Sequence, residues 1–135
     1  MRQMKFRGKS IETDKWIYGL YSIELITEGD EIIGYKHYIH DESLLHMPPI
    51  EIDPETVSQF TGLYDKGGKE IFEGDIVKYY QPYAKRWDIH IVEWDTHLAC
   101  FALFEQNNKW AKESDWLKIL DIEVIGNTYD NPELI

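Results

Sequence analysis

The sequence predicts a mainly β protein, with an N-terminal antiparallel β unit over residues 1–57 and a barrel-like β unit over residues 58–135, the two forming one compact module. Three observations carry that expectation. Apolar and polar residues alternate with a period of two. Turn chemistry recurs at short intervals, and long stretches of apolar residues at three- and four-residue spacing are nearly absent. A chain of 135 residues holds a core without staples.

Taken in order, Trp16-Ile17-Tyr18-Gly19-Leu20-Tyr21-Ser22-Ile23 and Glu31-Ile32-Ile33-Gly34-Tyr35-Lys36-His37-Tyr38-Ile39 are rich in β-branched and aromatic residues, and Thr27-Glu28-Gly29-Asp30 separates them. They predict a hairpin. Residues 41–49 end in Met47-Pro48-Pro49, where two prolines remove backbone donors, so this stretch is expected to be a loop. Asp53-Pro54-Glu55 has a cap and a proline suited to a helix start. The space before Phe60 leaves room for only one or two short helical turns.

Beyond residue 58, Asp65-Lys66-Gly67-Gly68-Lys69 marks a tight turn, and Gly74-Asp75 marks a bend before a strand at Ile76. Residues 89–94 and 99–105 are two further strands. Apolar side chains on both faces of the second, Phe101 and Leu103 against Cys100, Ala102 and Phe104, predict a central, buried strand. Residues 110–120 fit either a helical stripe or a strand. Glu123-Val124-Ile125-Gly126-Asn127 predicts a last strand, with a turn at Asn131-Pro132.

Thr61-Gly62-Leu63, Asp65-Lys66, Gly68-Lys69-Glu70-Ile71, Glu73-Gly74-Asp75-Ile76-Val77 and Glu123-Val124-Ile125-Gly126-Asn127, with Tyr129 and Asn131-Pro132-Glu133-Leu134, closely resemble the YopX protein family. Met4-Lys5-Phe6-Arg7 and the segment Asp53-Pro54-Glu55-Thr56-Val57-Ser58-Gln59-Phe60 extend the resemblance over the whole chain. It implies a phage- or prophage-borne protein of mainly β fold whose C-terminal part is barrel-like, in the manner of a small SH3-like barrel. It implies no activity, substrate or catalytic residue.

Fourteen basic against twenty-five acidic side chains give a formal net charge of −11, spread over both halves. An evenly negative chain is repelled by phosphate backbones, so nucleic acid is not an expected partner. Arg2, Lys5, Arg7 and Lys9 precede the first acid and suggest either a small basic patch or, more simply, a solvated first strand with snorkelling cations. The single cysteine, Cys100, excludes an internal disulfide framework and points to a reducing compartment, here the bacterial cytoplasm. Neither a signal-peptide core nor a membrane-length apolar run is present, so a soluble protein is expected.

Chemistry is sparse. His37 and His40 have a metal-pair spacing for a helix, but on a strand they face opposite ways, and His46 and Asp41 complete a set only if the loop folds back. Cys100 lies in an apolar run where a thiol is a poor nucleophile, with His90 and His97 as its nearest partners in sequence. Glu70, Glu73 and Asp75, or Asp88, Glu93 and Asp95, offer carboxylates for magnesium, and acids are common enough here for such groups to arise by chance. No catalytic residue, metal site or cofactor is therefore expected.

The aromatic residues carry more. Trp16, Tyr18, Tyr35, Tyr38, Tyr79, Tyr80, Tyr83, Trp87, Trp94, Trp110 and Trp116 exceed what one small core conveniently buries, and Tyr and Trp are favoured at interfaces. The expected binding site is the segment from 79 to 87, read as a loop between strands and carrying Tyr79, Tyr80, Tyr83, Lys85, Arg86 and Trp87. The partner is an unidentified protein or a second copy of this chain. An acidic mimic of DNA aimed at a host enzyme, and a metal-dependent hydrolase, are the two other classes the sequence admits.

Overall fold

A computed structural model describes residues 3–44, 46–104 and 121–135. They are mainly β, with short 3-10 turns, and the strands pair antiparallel. The chain forms two compact units, residues 1–59 and 60–135.

In the first unit, β1 (Phe6–Lys9), β2 (Trp16–Glu28), β3 (Glu31–His40) and β4 (Ile50–Glu51) stand in the order β4-β3-β2-β1. The start of β5 (Ser58–Tyr64) adds to β1, with Ser58 opposite Arg7 and Gln59 opposite Phe6. Ile39 and Ile52 are fully buried, and Gly8 lets them close: a Cβ there would lie 2.6 Å from Cδ1 of Ile52. Asp53 caps a 3-10 turn over Pro54–Thr56, accepting from the Glu55 N–H at 3.0 Å. Thr56 Oγ1 then accepts from the Lys9 N–H at 2.8 Å, tying that turn to β1.

The cations of β1 are only partly a solvated face. Arg7 is buried, donates from Nε to Ser58 Oγ at 3.0 Å and lies 4.7 Å above the Trp16 ring, where the negative face of the indole offsets its desolvation. Lys9 lies over the same ring at 5.4 Å and within 4.0 Å of Asp14.

The predicted hairpin is present but longer. β2 runs to Glu28, so the turn is confined to Gly29 and Asp30, with Gly29 at φ +61°. A β-bulge interrupts the ladder between Ile26 and Thr27. Beyond the stretch of β2 paired with β1, and the stretch of β3 paired with β4, this hairpin continues as a two-stranded arm among the described residues.

In the second unit, β6 (Glu70–Phe72) pairs with the end of β5. Then β7 (Asp75–Gln81), β8 (Arg86–Asp95), β9 (Cys100–Phe104) and β10 (Glu123–Asn127) form a sheet in the order β10-β7-β8-β9. Ile71, Val77, Tyr79, Val92, Phe101, Leu103 and Ile122 make its core. As expected for β9, residues 101–104 are buried; among the described residues the strand stands last in the sheet order. Two-faced apolarity reads as centrality from sequence, although a strand at the end of the order is equally apolar when both its faces are covered. The ambiguous segment 110–120 and the turn expected at 106–109 lie outside the described residues.

Candidate interaction site

The site expected over residues 79–87 is a hairpin rather than a loop. Only residues 82–85 form the turn, because the backbones of β7 and β8 stay in register up to Gln81 opposite Arg86. Strand alternation then divides the aromatic residues. Tyr79 points inward, is 4% exposed and stacks on His90 with ring centroids 5.3 Å apart, so it belongs to the core rather than to the exposed face. Tyr80 points the other way. It meets Trp87, its cross-strand partner, edge to face at 5.6 Å, and both stay half exposed.

Tyr83 at the turn is 100% exposed. Lys85 beside it has φ +51°, an uncommon backbone for a residue with a Cβ, and its side chain is exposed. Arg86 donates from Nε to Asp88 Oδ1 at 2.8 Å along its own strand, on the face opposite Trp87. Five of the six expected binding residues thus present side chains to solvent around the hairpin tip.

Two lysines that the sequence reading missed complete the surface. Lys78 Nζ lies 5.1 Å, and Lys66 Nζ 5.9 Å, from the centre of the Trp87 ring. Both ammonium groups converge on Glu123 Oε2, at 3.5 and 3.3 Å respectively. The Lys66 hydrogen bond first, then the charge of Lys78, holds the Glu123 carboxyl below its ordinary range. The indole therefore meets both a cation pair and the Tyr80 ring. Lys66 and Glu123 are far from Trp87 in sequence, and no local pattern signals their meeting.

The turn below this surface is anchored by Asp65. Its Oδ1 accepts from the N–H groups of Gly67 and Lys69, each at 2.9 Å, and its Oδ2 from Val124 N–H of β10 at 3.1 Å. Burial pushes this carboxyl up, but the three backbone donors and the Lys69 charge outweigh it, and the group titrates below the usual aspartate range.

The candidate chemical groups come together poorly. His37 and His40 both sit on β3, three residues apart and so on opposite faces; His37 Nδ1 bonds the Tyr21 hydroxyl, and His46 is exposed. Cys100 is only half buried at the start of β9, opposite Asp95, rather than in the core. Asp75 is fully buried and accepts from Phe72 N–H at 2.8 Å, and Asp95 accepts from the N–H groups of His97 and Leu98. Both are turn-formers. Glu73 and Glu93 come from different expected clusters: burial and then the Glu93 charge raise the Glu73 carboxyl. Among the described residues no three His, Cys, Asp or Glu side chains are grouped to hold a metal ion. No helix among them is long and apolar enough to cross a membrane.

The family model described as YopX protein matches residues 5–135. In structure the chain is similar to protein EF1440 from Enterococcus faecalis, with a TM-score of 0.52 and 24% sequence identity, covering 99% of each chain. That likeness concerns the fold alone. No curated protein matches the chain.

Proposed function

This chain belongs to the YopX protein family, and from that premise we propose that it is a protein-interaction or assembly module that presents the tip of the β7–β8 hairpin to a protein partner. The observation that carries this reading is the aromatic cluster at that tip: a wholly exposed Tyr83 beside half-exposed Tyr80 and Trp87. Large rings left in water on paired strands lose little entropy on docking, and Tyr and Trp with neighbouring cations dominate the energetics of protein interfaces. Lys78 and Lys66 flank the Trp87 ring, so the surface favours a partner with apolar pockets rimmed by acids.

The proposal includes the setting: a phage or prophage accessory protein working in the bacterial cytoplasm, its second unit an SH3-like, barrel-like scaffold for the hairpin. The test is affinity capture from bacterial lysate with the intact chain beside the Tyr83→Ala/Trp87→Ala variant. A protein retained by the first and lost by the second supports the reading. Identical capture by both removes the hairpin tip as the binding surface.

A further inference from the structure

The first unit holds an open hollow of about 340 Å3 between two turns. One wall is the tight turn after β1, where the Ser10 carbonyl accepts from the Asp14 N–H at 2.8 Å and Ser10 Oγ from the Thr13 N–H at 3.2 Å. The other wall starts at the 3-10 turn Glu42–Leu44, where Asp41 Oδ1 accepts from the Ser43 N–H at 2.9 Å. It continues through Met47 and Pro48-Pro49 into β4. The Ile11 N–H donates to the Glu51 carbonyl at 3.1 Å and ties the two walls together. Each proline has its φ fixed by its ring, so little of this wall has to be ordered when a ligand arrives.

Two kinds of side chain line the hollow. Ile11, Leu44, Met47, Pro48 and Pro49 supply an apolar surface, and the first three are between 45% and 61% exposed. Single exposed apolar side chains need no account, whereas several that converge on one concavity have the composition of a ligand pocket. The charged lining residues are Glu12 and Glu51, both acidic. Neither carboxylate forms an ion pair among the described residues.

We infer that this hollow binds a small organic cation, a primary amine carried on an apolar body about the size of one aromatic ring. The body lies against Leu44, Met47 and the two prolines, and the ammonium group donates to the Glu12 and Glu51 carboxylates. Charge decides the class of ligand. An anion would meet two acids and no base on the walls, within a chain of net charge −11. A neutral ligand would take water from both acids and return no counter-charge. Volume decides the size, since about 340 Å3 stands at the lower end of the pockets that hold small molecules.

The test is a nuclear magnetic resonance titration of the full, isotope-labelled chain with three probes of one shape: phenethylammonium, neutral 2-phenylethanol and anionic 3-phenylpropionate. Phenethylammonium should shift the amide signals of Ile11, Glu12, Leu44 and Glu51 saturably, with a dissociation constant of about 1 mM, as suits its size. The alcohol and the acid should bind about tenfold more weakly or worse. Glu12→Gln/Glu51→Gln should weaken phenethylammonium about tenfold and leave the alcohol unchanged, a split that a merely structural role would not produce. Met47→Lys, which puts a cation on the wall, should abolish binding of the amine. Dispersion of the remaining amide signals checks that each variant is folded. Equal affinity for the three probes overturns the inference, as does the absence of saturable shifts at the hollow. Shifts spread over acids throughout the chain would reveal unspecific attraction to its net charge and overturn it too. Tighter binding of acetyl-Leu-Lys-Leu-amide at the same residues would assign the hollow to a protein side chain and overturn the small-molecule reading. The Tyr83→Ala/Trp87→Ala variant should bind phenethylammonium as the intact chain does, which separates this site from the hairpin tip.

Discussion

Two backbone positions show how much a single atom decides in this chain. At Gly19, φ is +155° and a Cβ would stand 2.0 Å from the carbonyl oxygen of His40, in the strand paired alongside. Neither backbone can yield without breaking the β2–β3 ladder at its root. Gly19→Ala should therefore cost about 3 kcal/mol or more, read as a lowered denaturation midpoint at unchanged slope. Asp75, with its carboxylate buried and bonded to Phe72 N–H, should cost about 1–3 kcal/mol as Ala, since a buried donor loses its acceptor. The role of Asp75 was legible, because Gly74-Asp75 reads as a bend; the role of Gly19 was not, since nothing in Tyr18-Gly19-Leu20 says which carbonyl lies opposite. Likewise Tyr79 and Tyr80 are chemically alike and adjacent, and only the register of β7 shows that one is core and the other surface.

Among elements, the turns were read well and the strand neighbours less so. Asp and Gly chemistry located the ends of β2 and β5 and the start of β7 within a few residues, because such turns are set by local backbone preferences. The place of β9 at the end of the sheet order among the described residues, and the meeting of Lys66, Lys78 and Glu123 around Trp87, depend on pairings between distant segments that leave no local mark. The Asp65 clasp joins the turn after β5 to β10 and makes acid stability a property of that junction. Its folded carboxyl titrates below its unfolded value, so its contribution is complete above the ordinary aspartate range and disappears as pH falls through the lower, folded value. Urea unfolding at neutral pH and near pH 3 should show the wild type losing stability with acid, and Asp65→Asn, already weaker at neutral pH, losing less. An equal loss in both would assign the acid sensitivity elsewhere.

At the scale of the whole chain, a formal charge of −11 repels phosphate backbones. Duplex DNA labelled with a fluorophore should show no anisotropy change with this protein even at low salt, where counterion release favours binding most. Saturable binding would reveal a local basic surface, and Lys5 and Lys9 at the base of the arm would be the first residues to replace. The mainly β character and the family motifs were open to reading because alternation and turns are written into neighbouring residues. The length of the arm was not, since Leu25, Ile26 and Thr27 look like any strand leading to a turn. That arm has a kinetic consequence. Its outer ladder, residues 23–28 against 31–37, is held by two strands without a covering layer among the described residues, whereas Val77 and Val92 are wholly buried. Amide hydrogens in the outer arm should therefore exchange through local openings that leave the rest of the molecule folded, orders of magnitude faster than those of β7 and β8 in dilute solution.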